Sequence, residues 1–165
     1  MNSYIIRNSR KEDFESVFAI WLENQSQAIG KTVSAKTAEP YKNELYHQFN
    51  DDKYSHFYIA ENSKNQIIGW QALLSVISNP LLKMYAAQSN TYVTKDYHDS
   101  DIGYQLVAHA VNDAKRHGIE QIYGWVKADN SAINKIAQKF TSLKLNITKT
   151  DNLPDINLYV IQVSH

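Results

Sequence analysis

The apolar residues of this chain change their period at Phe57, and that change limits what it can fold into. Upstream, Phe14, Val17, Phe18, Trp21 and Leu22 recur at spacings of three and four, the signature of one helix face. Downstream they arrive as short runs rich in Tyr, Ile, Val and Leu, broken by polar turns, the signature of strands. Helices and strands written alternately must pack as layers around a sheet, so the fold class is α/β. With 165 residues, 43% hydrophobic and 21% charged, the chain is expected to form one domain over residues 1–165 around a sizeable core.

Charge and cysteine content exclude several functions. Lys plus Arg and Asp plus Glu number 17 each, so the formal net charge is zero. No basic excess points to nucleic acid, and near-neutrality favours self-association. Without cysteine there is no disulfide, thiolate zinc site or cysteine nucleophile. Met1 to Arg10 lack the long apolar stretch of a signal peptide, and the apolar runs are too short to span a bilayer. A cytoplasmic location and no membrane partner are expected. His47, His56, His109 and His117 have no spacing that makes a ligand pair, so no metal is expected. His109 falls off the apolar stripe of its helix and is expected to face solvent.

The elements read in order as follows. Ser3 to Arg7 is a first strand. Ser9 and Glu12 form an S-x-x-E capping box ahead of the first helix, with Gly30 as a break. A second helix runs from Ala38 to Phe49, with Pro40 in its first turn and Leu45 and Phe49 toward the core. Phe57 to Ala60 and Ile67 to Ile77 flank the turn Asn62–Asn65 as a hairpin, ended by Asn79 and Pro80. Tyr85 to Thr94 is a strand, Ile102 to His117 a helix closed by Gly118, and Ile119 to Val126 a strand. Ser131 to Phe140 is a helix capped by Asn130 or Asp129. Leu143 to Thr148 and Ile156 to Val163 close the list. The strand–helix–strand crossover makes Tyr85–Thr94 and Ile119–Val126 parallel neighbours in a mixed, mostly antiparallel sheet with helices on both faces.

The segment Tyr92 to Gln105, YVTKDYHDSDIGYQ, is the most informative. A strand ends, a polar loop turns, and a helix begins beside a glycine. Unsatisfied amides at such a start suit an anion such as a pyrophosphate. An ordinary turn capped by Asp99, Ser100 or Asp101 fits the same residues.

The order of elements, with this segment, resembles the GNAT superfamily of acetyltransferases, and within it the phosphinothricin acetyltransferase group. In that superfamily the loop reads R/Q-x-x-G-x-G/A. His98 stands at its first position, Asp101 at the first glycine, and Gly103 matches the second. Thr91, Tyr92 and Val93 resemble the preceding V-Y-V strand, and Asn130 to Ile133 the N-x-x-S helix start. The resemblance implies acetyl-CoA as co-substrate and a small-molecule amine as acceptor. It implies that the pantetheine lies along Thr91, Tyr92 and Val93, and that the pyrophosphate is met by His98, Asp99, Ser100, Asp101, Ile102, Gly103 and Tyr104. Asn130 would touch the pantetheine or cap its helix. Counting back from the strand places Gln88 where the group has its catalytic Glu, and Ala137 where the family often has a proton-donating Tyr. Tyr85, Tyr92, Tyr123 and Glu61 are candidate substitutes for these roles. Family members often pair, so a homodimer is an expected partner state.

Asp99 and Asp101 set negative charge where the pyrophosphate is expected. At an effective dielectric of about 20, one unit charge at about 4 Å is worth up to about 4 kcal/mol, and Lys95 or His98 would have to compensate. An acceptor pocket is expected from the first two helices and the Ser78–Met84 loop, with Trp21, Tyr41, Tyr46, Trp70 and Tyr85 nearby. Two other readings fit the residues: a GNAT-like binding or regulatory domain without turnover, and the same fold holding a different ligand.

Overall fold

The computed structural model describes residues 3–28, 32–76, 85–141, 143–147 and 155–163. Among them, seven strands alternate with four α-helices. The strands are β1 (Tyr4–Asn8), β2 (Ser55–Asn62), β3 (Ile67–Val76), β4 (Ala86–Val93), β5 (Gln121–Lys127), β6 (Leu143–Ile147) and β7 (Ile156–Gln162). The helices are α1 (Phe14–Ala28), α2 (Ala35–Phe49), α3 (Ile102–Ala114) and α4 (Ser131–Phe140). The strand order is β1-β2-β3-β4-β5-β7-β6. The β1–β2, β2–β3, β5–β7 and β6–β7 ladders are antiparallel, whereas β4 and β5 pair in parallel from Ala86↔Gln121 to Gln88↔Tyr123. The expected mixed, mostly antiparallel α/β architecture is therefore present. Gly30, Ile77, Asn79, Pro80, Thr148 and the Ser78–Met84 loop lie outside the described residues.

The chain forms two compact units, one of residues 1–74 and 91–110, the other of 75–90 and 111–165. In the first unit, α1 and α2 pack on one face of the β2–β3 hairpin. Phe14, Val17, Ile20, Phe49, Phe57, Ile59, Trp70 and Ala72 form this core, each large side chain contributing about 1.5–3 kcal/mol of burial. Buried Trp70 places its indole N–H 2.9 Å from the Val17 carbonyl, so the one polar atom of that ring is satisfied. On the opposite face, Leu106 of α3 comes so close to β3 that a Cβ at Gly69 would lie 3.3 Å from its Cδ1 and 3.1 Å from the Tyr92 carbonyl oxygen. His109 is half-buried on this same face, its ring 5.1 Å from that of Tyr58 in a T-shaped contact. This corrects the solvent-facing expectation: the apolar stripe is wider than the aliphatic side chains alone outline.

Two helix starts differ from expectation. The Ser9–Glu12 box is not used. Instead a 3-10 turn, Lys11–Asp13, leads into α1, and the Asp13 carboxylate accepts from the Arg10 amide at 2.6 Å. Arg7 decides the choice, since its guanidinium donates to both Asp13 oxygens at 2.7 and 2.9 Å. Helix α2 begins at Ala35 behind Ser34, whose hydroxyl accepts from the Thr37 amide at 3.1 Å. Pro40 thus sits inside the helix rather than in its first turn, at the cost of one backbone bond.

In the second unit, α4 covers one face of the β5–β7–β6 ladder. Buried Asn134 accepts from Asn157 at 2.8 Å and from the Tyr159 hydroxyl at 2.6 Å. Its amide donates to the Lys127 and Asn130 carbonyls at 2.9 and 2.7 Å. Asn130 caps α4 as expected, accepting from the Ile133 amide at 3.2 Å. Helix α3 ends at Ala114, the following residues Lys115–His117 tighten into a 3-10 turn, and Gly118 closes that turn at φ 69°, the left-handed conformation glycine adopts freely.

Candidate functional site

The end of β4 and the loop that follows belong to the first unit, and helix α1 and strand β3 fix them. The Val93 carbonyl accepts from the Asn24 side-chain amide of α1 at 3.0 Å and meets His98 Nε2 at 2.9 Å. A carbonyl only accepts, so His98 carries its proton on Nε2 there. Thr94 fastens the loop to β3, its amide donating to the Ile68 carbonyl at 2.9 Å. The Lys95 amide donates to the Glu23 carboxylate at 3.1 Å. A 3-10 turn, Lys95–Tyr97, then carries the chain to Ser100.

At the start of α3, Ser100 Oγ accepts from the Ile102 amide at 3.3 Å. Asp101 does not cap the helix with its side chain. Its Oδ1 accepts the Tyr4 hydroxyl of β1 at 2.9 Å. Burial, then the hydrogen bond and charge of Asp101, push the Tyr4 hydroxyl up to about 12. Asp99 is exposed, while Gly103 is buried in the first turn. First-turn amides have no intrahelical acceptor. Ile102 is 1% exposed, so its backbone alone can serve a ligand. Tyr104 is half-buried.

Along β4, Thr91 bonds the buried Gln71 side chain of β3. Tyr92 packs on Trp70 with ring centroids 4.7 Å apart. Burial raises the Tyr92 hydroxyl above its ordinary value, against the opposing effect of hydrogen bonds to Gln25 and Trp21. The Val93 side chain is buried. Trp21 also lies 5.7 Å from Tyr41 and 5.7 Å from Phe18.

The predicted residues are thus divided. Thr91, Tyr92, Val93 and His98 through Tyr104 come together in the first unit. Gln88 and Asn130 belong to the second, where Gln88 donates to Asn90 Oδ1 at 3.2 Å. Of the alternative acid–base candidates, Glu61 is committed elsewhere: its carboxylate is 2.6 Å from Arg7 in a part-buried cluster with Asp13. Tyr123 donates to Gln121 at 2.6 Å, and Tyr85 is 54% exposed.

Sequence reasoning missed the contribution of α1. Glu23, Asn24 and Gln25 all reach the end of β4 or its loop. The available signal was Asn24 itself, a polar residue four after Ile20 on the buried stripe, where an apolar side chain would ordinarily stand. Tyr4 carried no such signal, because its partner is 97 positions away.

A model of the acetyltransferase (GNAT) family matches residues 14–142. No protein of curated function matches the chain significantly. Among solved structures, a provisionally named phosphinothricin N-acetyltransferase superposes with a TM-score of 0.75 at 17% identity, covering 99% of this chain and 100% of its own. A provisionally named acetyltransferase, YncA of Salmonella typhimurium, solved with acetyl-CoA, gives 0.74 at 13% identity, over 99% and 95% of the two chains. The PaiA N-acetyltransferase of Thermoplasma acidophilum, solved with coenzyme A, gives 0.69 at 20% identity, over 95% and 98%. At such identities the likeness concerns the fold.

Proposed function

This chain belongs to the acetyltransferase (GNAT) family, and from that premise we propose that residues 1–165 form one N-acetyltransferase domain that moves an acetyl group from acetyl-CoA to the amine of a small molecule. When bound, acetyl-CoA supplies an acyl group already activated as a thioester. The residues present fit its diphosphate, because the acid that most threatens it is engaged: Asp101 is tied back to Tyr4, and the first turn of α3 offers backbone N–H groups. The amides of Gly103 and Tyr104 would hold the phosphates, joined by the Ile102 amide where a phosphate oxygen replaces Ser100 Oγ as its acceptor, with Ser100 and the remaining ring nitrogen of His98 beside them. Asp99 is exposed and remains a repulsive neighbour.

Thr91, Tyr92 and Val93 would hold the pantetheine by backbone pairing, as an added strand is held. Asn24 and His98 fill the acceptor sites of the Val93 carbonyl and so fix the strand end, leaving the Val93 amide as the candidate donor to the thioester oxygen. Asn130 belongs to the same proposal as a polar contact for the pantetheine. Gln88 is an amide and takes no proton. With its N–H turned to Asn90, it presents an acceptor oxygen that can orient a water, and the ammonium proton leaves to that water. The amine would then attack the thioester carbonyl directly; the C–N bond forms as the C–S bond breaks, and coenzyme A leaves as a thiolate that takes its proton from water.

The observation that carries this reading is the Tyr4–Asp101 hydrogen bond, which gives the carboxylate a partner other than the first-turn amides. The test is release of free thiol from acetyl-CoA across a panel of amines. Amine-dependent release supports the reading. Binding of acetyl-CoA without release by any amine instead favours a second reading, a GNAT-like binding domain. Glu61 locked to Arg7, an amide at Gln88 and a methyl at Ala137 speak for that alternative.

A further inference from the structure

A row of aromatic rings leaves the core along α1 and reaches water on α2. Phe14, Phe18 and Trp21 recur at spacings of four and three and so share one helix face. Their rings stack in sequence, Phe14 on Phe18 at 6.4 Å between centroids and Phe18 on Trp21 at 5.7 Å. Tyr41 of α2 continues the row at 5.7 Å from Trp21. Exposure rises along it. Phe14 is buried, Phe18 and Trp21 are half-buried, and Tyr41 is 55% exposed. Packing accounts for the inner end of the row but not for an aromatic pair left open at its outer end.

That outer end lies against the end of β4. Trp21 and Gln25 both hydrogen-bond the Tyr92 hydroxyl, and Asn24 donates to the Val93 carbonyl at 3.0 Å. One turn of α1, residues 21–25, is therefore clamped on the last two residues of the strand whose Val93 amide would meet the thioester. The row also draws ammonium groups. Lys42 Nζ stands 5.3 Å from the centroid of Phe18, with the Glu15 carboxylate 2.9 Å away. Among the described residues no cation stands over Trp21 or Tyr41, although Trp offers a cation the strongest aromatic face.

We propose that the exposed surface of Trp21 and Tyr41 holds the carrier group of the acceptor, and that the acceptor is an arylalkylamine, a primary amine joined by a short chain to an aromatic ring. This inference rests on the acetyltransferase reading and narrows its substrate. The acceptor's ring packs on the open side of the pair in offset or edge contact, and its ammonium arrives past the face of Trp21. Trp21 and Asn24 are three residues apart, a rise of about 4.5 Å along the helix, so a short chain carries the nitrogen from the ring toward the end of β4. A small hydrophilic amine would leave the pair in water and gain nothing from it. The transfer is unchanged: the nitrogen takes the acetyl group, coenzyme A leaves as the thiol, and the ammonium proton goes to water.

The test compares thiol release from acetyl-CoA with 2-phenylethylamine and with ethylamine, which share a primary amine on two carbons and differ by the ring. The ratio of kcat/KM should favour 2-phenylethylamine by about 30-fold or more, chiefly through KM. Tyr41→Ala should reduce the ratio to about 3, whereas Tyr41→Phe should keep it. Circular dichroism checks that both variants fold. Saturation-transfer NMR on the ring protons of 2-phenylethylamine needs no turnover, and its signal should disappear in Tyr41→Ala. Equal efficiency with the two amines, or a ratio that Tyr41→Ala leaves unchanged, overturns the inference and leaves acetyl transfer standing. Ring contact that Tyr41→Ala abolishes, with no amine turned over, supports the surface and overturns acetyl transfer instead. Neither turnover nor ring contact overturns both.

Discussion

Replacing Asp101 with Asn isolates the charge at the start of α3 without disturbing its contact. Asn keeps an oxygen that accepts from Tyr4, now 2.9 Å from Asp101 Oδ1, but carries no charge. Asp101 is exposed, so the effective dielectric is that of a wet surface, about 40–80. At a separation of about 6 Å from one phosphate charge, repulsion is then about 0.7–1.4 kcal/mol. Asp101→Asn should tighten acetyl-CoA about 3- to 10-fold, since 1.4 kcal/mol is a factor of ten. Calorimetric titration of both proteins at low and high salt measures this. The gain should shrink as salt shortens the screening length to about 3 Å near 1 M. An unchanged dissociation constant at low salt would refute the placement of the diphosphate, and a gain that ignores salt would refute its electrostatic origin.

Other consequences follow from the packing. The raised Tyr4 hydroxyl stabilises the fold fully below its ordinary value of 10, and that contribution is lost as pH rises through about 12. Alkaline melts of Asp101→Asn should therefore show less loss between those values than the unmodified chain. Burial alone would raise the Asp13 carboxyl, but the Arg7 hydrogen bond and charge, with the Arg10 amide, hold it below its ordinary value of 3.8. Its stabilisation is present above that value and fades as pH falls below it. Arg7→Met leaves buried Asp13 and half-buried Glu61 without their cation and should cost about 3–5 kcal/mol in urea denaturation. A loss below about 1 kcal/mol would place the pair among weak surface bridges. Gly69→Ala forces a Cβ to within 3.1 Å of a backbone oxygen and should cost about 1–3 kcal/mol in the same assay. Asn134→Leu strips Asn157 and Tyr159 of a buried acceptor and should cost about 2–3 kcal/mol, seen as a lower melting temperature.

The strands and helices were legible wherever burial follows periodicity. The hairpin around Asn62–Asn65, the stripe Ile102–Leu106–Ala110–Ala114 and the cap at Asn130 are each set by neighbours within a few residues. What local pattern could not supply was the competition between alternatives of similar strength. Ser9 and Arg10 both precede a helix-like run with an acid three residues on, and only the distant-facing guanidinium of Arg7 selects Asp13. At the site, residues 91–104 announced a strand, a loop and a helix start. The direction in which Asp101 points depends on β1, and the fixing of Val93 depends on Asn24, 69 residues away. Buried polar groups such as Gln71 and Asn134 were equally opaque, because a lone amide in an apolar run does not disclose its partner.

Titration of the unmodified chain with acetyl-CoA at low salt tests most directly whether the β4–α3 segment holds this co-substrate. Saturable one-to-one binding with a dissociation constant of about 1–100 µM is the predicted result, weakened when salt is added. No heat of binding at millimolar acetyl-CoA would contradict it.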